Sequence, residues 1–339
     1  MIQFREARLE DDVKLTRLVA QPMPGDLSLS RTSEPSLLQA CIKQGPPRRI
    51  LTAAEGDDVL AVCTYFPWEY WVEGEARRIW TVADFRAERR AAGLSVTGLG
   101  WRALKEKLCG EPALISLVDD NPISHRLFSK ERKGWPKLRR VANLKTFIFP
   151  LALLPASPQK AGLVQPLREG LLSALNRQTT YLTPLLSESD LGQATPGLES
   201  FVACHDGCSM TACGALWDPS DYRQIRISGY SGLYARLRQF SRKLGLWFMP
   251  EPGREVRVQF ASFFRGDCEV SRRRVFRALV DKARARGAQF LIFGQDGQEV
   301  PPFPALWPRF TMKSSLYQLK WSDESELGFA KAGFEVAWL

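Results

Sequence analysis

The chain is poor in the residues and runs that mark several protein classes. It has two histidines in 339 residues, seven cysteines without a regular framework spacing, and no long apolar run. The longest apolar stretch, Thr146 to Ala156, contains two prolines. It is far too short to cross a bilayer, so no membrane partner is expected. Met1-Ile2-Gln3-Phe4-Arg5-Glu6 goes straight into strand-like alternation, which is not the pattern of a signal peptide. An odd, irregular set of cysteines points to reduced thiols and a cytoplasmic setting. Cys204, His205, Cys208 and Cys213 lack the spacing of a zinc site, and an Asp206-Gly207 turn lies inside them. In a hairpin, Cys204 and Cys213 would alternate into a core as small apolar residues, so no metal is expected.

What is present has the balance of a soluble globular protein, 45% hydrophobic and 25% charged, with length enough for two domains. The formal net charge of +10 is local. Arg126 to Lys145 holds eight basic residues against one acidic, and Arg265 to Arg286 holds eight against three. Such fields attract anions, and CoA, nucleic acid and acidic substrates all qualify. Arg272-Arg273-Arg274 also reads as the outer face of an amphipathic helix.

The chain is organised around Ile79 to Leu104. Ile79, Trp80, Thr81, Val82 and Ala83 make an apolar run of strand length. Leu94, Leu99, Ala103, Leu104 and Leu108 then recur at helical spacing. Between them, Arg90-Ala91-Ala92-Gly93-Leu94-Ser95 offers small residues and the free amides of a helix start, a site ready for a pyrophosphate.

Arg90-x-x-Gly93-x-Ser95 after an apolar strand resembles the acyl-CoA signature of the GNAT superfamily, Arg/Gln-x-x-Gly-x-Gly/Ala. Gly110, a strand from Ala113 to Val118, and Asn121-Pro122-Ile123-Ser124-His125-Arg126-Leu127-Phe128 follow in the order of that family's fifth strand and its Asn-led helix. The resemblance implies an α/β fold of mixed sheets, and acetyl-CoA or another acyl-CoA as co-substrate. Main-chain groups at Val82 and Ala83 would hold the pantetheine arm. Amides of Arg90, Ala91, Ala92, Gly93, Leu94 and Ser95, with Asn121, would complete the cofactor site. The turn from Asp84 to Ala92 is longer than the family's. The family's common general-acid tyrosine falls on Phe128, which cannot donate a proton.

Along the chain, Ile2 to Ala7 reads as a strand and the segment from Glu10 to Val19 as a capped helix. Pro35 to Lys43 reads as a second helix, and Ile50 to Ala54 with Val59 to Tyr65 as a hairpin. Four prolines from Pro150 to Leu167 place a boundary there. The expected organisation is residues 1–150 as an N-terminal domain with the acyl-CoA site, 151–195 as linker and connecting helix, and 196–339 as a second domain. The second half repeats the first: a hairpin about Asp206-Gly207, a central strand Val256 to Phe264, a helix Ser271 to Arg286, and a strand Ala288 to Phe293. Its loop Arg265 to Val270 carries Asp267 and Glu269, which would repel a pyrophosphate. Arg223 to Glu255 reads as an insertion with a basic helix from Leu233 to Leu244. The whole pattern resembles two tandem GNAT-like domains.

Acyl transfer to an amine needs the amine deprotonated and the thiolate protonated. Asp84 at the end of the central strand, Glu69 on the preceding one and His125 after the fifth strand are the candidate acid–base residues. The expected function is acyl-CoA-dependent N-acyl transfer to a small-molecule or peptide amine. Two alternatives stand beside it. One is a CoA- or ligand-binding protein without turnover. The other is a Fem-type transferase using aminoacyl-tRNA; its nucleic-acid partner is compatible with the charge but not favoured, because Fem-type proteins lack the loop from Arg90 to Ser95.

Overall fold

A computed structural model describes residues 1–23, 25–45, 48–88, 91, 94–128, 130–155, 163–164, 168–176, 181–188, 190, 196–207, 209–243, 245, 249–321, 327 and 331–332. The chain opens with β1 (Ile2–Glu6) and α1 (Asp12–Val19), whose Leu15, Leu18 and Val19 form a buried stripe. After β2 (Leu27–Thr32) comes α2 (Leu37–Lys43), which starts two residues later than expected. Ser36 sets that start: its hydroxyl accepts the Gln39 amide at 3.1 Å and caps the helix. The hairpin of β3 (Arg49–Glu55) and β4 (Asp58–Val72) forms, with β4 running unbroken through Pro67. Glu73 and Gly74, both left-handed with φ of 53° and 86°, turn the chain into β5 (Glu75–Ala87).

β5 corrects the sequence reading. The strand does not stop at Ala83 but stays paired with β4 as far as Ala87 opposite Ala61. The polar run Asp84-Phe85-Arg86, expected as turn, is strand, so the turn before the next helix is short. That helix is α3 (Leu94–Leu108), followed by β6 (Ala113–Val118), α4 (Pro122–Phe128) and β7 (Lys137–Pro150). The next segment supplies β8 (Leu163–Val164), α5 (Arg168–Leu175) and β9 (Tyr181–Pro184). It is built into the structure, since Leu171, Leu175, Leu182 and Leu186 are buried and β9 pairs with β4.

The rest of the chain gives β10 (Phe201–Asp206), β11 (Ser209–Trp217), β12 (Gln224–Tyr230), α6 (Gly232–Lys243) and β13 (Glu255–Val256). Then come β14 (Val258–Gly266), α7 (Glu269–Ala285), β15 (Phe290–Asp296), β16 (Phe310–Lys320) and β17 (Lys331–Ala332). The main path of the large sheet runs β1-β3-β4-β5-β6-β16-β7-β15-β14-β11-β10-β8. Strands β5 and β6 are parallel, as are β14 and β15, and each pair is joined by a crossover helix, α3 or α7. At the centre β7 and β16 pair antiparallel, from Phe310 opposite Ile148 to Lys320 opposite Lys137. Each also lies on a strand from the other half of the chain, β7 on β15 and β16 on β6.

A second sheet of three strands, β13-β12-β2, covers part of one face. It joins β2 from the first half to the 223–255 segment, where Ile225 and Ile227 alternate with Arg226 in a strand that the insertion reading missed. The apolar space between the two sheets is one core. Helix α3 closes another with Trp101, Leu104 and Leu108 against Trp80, Val82 and Ile115. Helix α7 closes a third with Val275, Phe276 and Leu279 against Phe149 and Phe293. Cys204 packs in the core under α7 and Cys213 in the core between the sheets. They face opposite sides of the sheet and cannot share a metal. Among the described residues no helix is long and apolar enough to cross a membrane.

Candidate active site

The central strand carries an irregularity that shapes everything around it. Val62 pairs with Arg86 and Thr64 with Ala83, so Cys63 stands opposite two residues, Asp84 and Phe85. This is a β-bulge, and Asp84 takes its left-handed position with φ 54°. On the other edge of β5, pairing with β6 runs only from Trp80 opposite Ala113 to Val82 opposite Ile115. Both strands continue, β5 to Ala87 and β6 to Val118, while the other edge of β6 pairs with β16 from Ala113 to Val118. The two parallel strands therefore part after Val82. From Ala83 onward the β5 edge has no β6 ladder among the described residues.

The bulge aims the Asp84 side chain into a buried cluster of arginines. Its carboxylate lies 2.8 Å from Arg31 and 3.6 Å from Arg48, and it accepts the Thr64 hydroxyl at 2.9 Å. Arg31 also donates to Gln44 at 3.4 Å. The Arg48 guanidinium covers the Phe66 ring at 4.6 Å, and that of Arg223 covers Phe260 at 5.4 Å. Burial alone would raise the Asp84 pKa, but Arg31, Arg48, Arg86 and the Thr64 bond bring it below the usual aspartate range. Burial first, then the neighbouring charge of Arg31, pushes Arg48 down to about 10. Arg223 is pushed well down by burial and by Arg31 and Arg48. Asp84 is thus an ion-paired anchor and a weak proton acceptor.

The other candidates are not gathered at this point. Glu69 is exposed on β4 opposite Arg78, five residues along from Thr64. His125 lies on α4, and its side chain is outside the described residues. Asn121 caps that helix: its side-chain oxygen accepts the amides of Ile123 at 3.1 Å and Ser124 at 3.3 Å, a structural use of the side chain proposed for the cofactor. Val82 and Ala83 sit where the strands part. Arg90, Ala92 and Gly93 lie outside the described residues, as do the side chains of Leu94 and Ser95, which open α3. Ala91 is buried and its amide donates to the Glu88 carbonyl at 3.0 Å, so that one donor is engaged within the protein.

Beside α3 lies a groove of basic and aromatic residues. Lys130, Arg132, Lys133 and Lys137 line it with Phe128 and Trp135. Arg132 covers the Trp135 ring at 4.7 Å, and Phe128 packs against Trp101 at 5.6 Å and Trp135 at 6.3 Å. Trp135 in turn seats against Gly98 of α3, where a Cβ would meet its ring nitrogen at 2.8 Å. Phe128 is an aromatic wall of this groove.

Sequence reasoning missed Arg31, Arg48, Arg86, Arg223, Thr64 and Gln44. One signal was present: Leu27-x-Leu29-x-Arg31 puts an arginine on the same strand face as two leucines. The contacts that make it matter come from β5 and from the segment before β12, and local pattern does not reveal them.

The sheet parting, the crossover helix and the mixed α/β layers define a GNAT-like fold. Solved structures agree over most of the chain. N-myristoyltransferase of Saccharomyces cerevisiae with bound myristoyl-CoA superposes with a TM-score of 0.60 and 10% identity, covering 95% of this chain and 83% of that one. The same enzyme with myristoyl-CoA and inhibitors gives 0.61 at 10%, covering 94% and 80%. A conserved protein of unknown function from Enterococcus faecalis, described as a probable N-acyltransferase, gives 0.50 at 6%, covering 94% and 72%. No protein-family model matches the chain, and no curated protein matches it in sequence.

Proposed function

We propose that this protein is an acyl-CoA-dependent N-acyltransferase. The observation that carries the reading is the parting of β5 from β6 after Val82 and Ile115, beside a bulge. An extended pantetheine arm would pair with the β5 main chain from Ala83, where the β6 ladder has ended, as a further strand pairs with a sheet edge. The diphosphate would lie on amides ahead of Leu94, at the start of α3, other than that of Ala91, which is engaged by Glu88. The basic groove about Trp135 would take the adenosine phosphates, with Lys130, Arg132 and Lys133 as counter-charges. CoA supplies the thioester. The acceptor nitrogen attacks its carbonyl, the C–N bond forms and the C–S bond breaks; a base takes the proton the amine loses, and the departing thiolate takes up a proton to leave as the CoA thiol. Of the three candidate acid–base residues, His125 is the one we assign to proton transfer. Asp84 is held ionised by arginines, and Glu69 is exposed some distance along β4.

We read the chain as two copies of one GNAT-like unit, the second without a cofactor loop. In the second half Cys213 pairs with Arg265 and Ala215 with Ser262, so Gly214 stands opposite Phe263 and Phe264, and Phe263 has φ 51°. Arg86 donates to the Phe85 carbonyl at 2.9 Å, and Arg265 to the Phe264 carbonyl at 3.0 Å. These matched bulges support the duplication. A cytoplasmic location fits the free thiols. Titration calorimetry with acetyl-CoA and with longer acyl-CoAs, followed by thiol-release assays over an amine panel, tests the enzyme reading. Binding with amine-dependent thiol release supports it, and absence of binding at near-millimolar ligand removes it. Phe128 in place of a proton donor favours a second reading, binding without turnover, which the same thiol-release assay separates from the first.

A further inference from the structure

Helix α6 is seated through one side and presents the other to water. Tyr234, Arg238 and Ser241, spaced four and three residues apart, form the seat. The Tyr234 ring meets Phe310 edge-on at 5.3 Å, the Arg238 guanidinium covers the Tyr230 ring at 5.5 Å, and Ser241 is buried. Leu233, Arg236, Phe240 and Lys243, spaced three, four and three apart, share the outer side. Leu233 is 72% exposed and Phe240 60%, and Arg236 and Lys243 are exposed beside them.

Single exposed hydrophobic residues are ordinary on a protein surface. Here a leucine and a phenylalanine alternate with an arginine and a lysine along one stripe, and the charge around them is of one sign. From Tyr222 to Pro250 the sequence holds six basic residues and no acidic one. Arg242 is balanced by Glu251 at 3.3 Å, whereas Arg236 and Lys243 have no carboxylate partner among the described residues. A nucleic acid would use the cations and leave Leu233 in water. An apolar protein groove would use Leu233 and Phe240 and strip water from the cations at a cost. An anionic lipid surface accepts both: apolar side chains enter the boundary between headgroups and acyl chains, and the cations stay with the headgroups. The helix has 12 residues and carries four cations, so it cannot span a bilayer, which needs about 20 apolar residues. Lying in the interface requires no such length.

We propose that α6 docks the protein reversibly on an anionic lipid surface. Leu233 and Phe240 enter the apolar boundary, and Arg236 and Lys243 pair with the anionic headgroups. The inference is independent of the acyl-transfer reading.

Co-sedimentation of the full chain with vesicles tests it, using phosphatidylcholine alone and phosphatidylcholine with phosphatidylserine in a three-to-one ratio. The protein is expected to partition onto the mixed vesicles at least tenfold more strongly than onto phosphatidylcholine, and less so as salt is raised. The double variants Leu233→Ser with Phe240→Ser and Arg236→Gln with Lys243→Gln should each lower that partitioning at least fivefold. Val13→Ser, at an exposed apolar position on α1, should leave it unchanged. Circular dichroism reports the fold of each variant, and the comparison of the two vesicle types stands without them. No partitioning onto the mixed vesicles, equal partitioning onto both, or a loss with Val13→Ser as large as with the α6 variants overturns the proposal. So does full partitioning by the Leu233 and Phe240 variant, which would mean that charge alone acts. Binding of single-stranded RNA or polyglutamate through α6 in place of vesicles also overturns it, as does a wild-type dimer that the same variant dissociates in light scattering.

Discussion

Asp84 shows how one residue serves backbone and charge together. Its left-handed φ is a conformation that aspartate and asparagine adopt more readily than most side chains, and its carboxylate holds Arg31 and Arg48. Asp84→Asn keeps the backbone preference and removes the charge, so it isolates the ion pairs. Removing one partner of a buried pair costs about 3–5 kcal/mol, and chemical denaturation at pH 7 should read a loss of that order. The pH dependence follows from the lowered pKa. A group whose folded pKa lies below its unfolded one adds stability that is present above the unfolded value, near 3.8, and is lost as pH falls through the folded value. The variant should therefore show a shallower acid limb than wild type. Identical acid limbs would mean that the arginines do not depend on this carboxylate. At the same scale, the thiols divide by environment. Cys268 is exposed at the start of α7, where the amides of Ser271 and Val270 lower its pKa. Burial raises Cys41 to about 11, and Cys63 and Cys213 to about 12. Iodoacetamide at neutral pH should label Cys268 in the native protein and leave those three unmodified until it unfolds. Mass spectrometry of the digested protein checks the order.

Between elements, the bulge decides how each helix sits on its sheet. Phe85 stacks on Trp101 of α3 at 4.9 Å, and Phe264 meets Phe276 of α7 at 6.1 Å. Opposite them stand Cys63 in one half and Gly214 in the other. A Cβ on Gly214 would come within 2.9 Å of Phe264 and 3.1 Å of Leu279, so α7 leaves no room for it. Gly214→Ala should destabilise by about 1–3 kcal/mol, the usual effect of overpacking, read as a lower denaturant midpoint. An unchanged midpoint would mean that α7 can slide. This scale also marks what the sequence disclosed. Helices α3 and α7 were legible because Leu104 and Leu108, or Val275 and Leu279, repeat at helical spacing whatever lies beneath them. The end of β5 was not, because Asp84-Phe85-Arg86 is polar and its strand character comes from β4 alongside. Strand β12 was hidden for the same reason: Gln224 to Tyr230 is ordered by β2, nearly two hundred residues earlier. Of the candidate site, the strand at Val82 and Ala83 could be read in advance, and the arginine cluster could not, since its members come from four separated stretches.

At the scale of the whole molecule, the exchange of β7 and β16 decides how the protein folds. Neither strand's residues name their partner. Lys137 to Pro150 reads as a strand in isolation, yet it lies between β16 and β15, both from the second half. A chain ending at Pro150 would leave β6 without β16 and β7 without either neighbour. Unpaired strands of that length recruit other chains, and such fragments aggregate. The two halves, however alike in pattern, should therefore unfold together. Calorimetry of the full chain is expected to give one transition whose calorimetric and van't Hoff enthalpies agree. The fragment 1–150 is expected to be insoluble or to elute as aggregate in size-exclusion chromatography. A soluble monomeric fragment with its own cooperative melting would show that the first half closes its sheet without β16. The central pairing would then be a docking contact between two finished units, and the parting of β5 from β6 after Val82 would no longer need the second half to hold it in place.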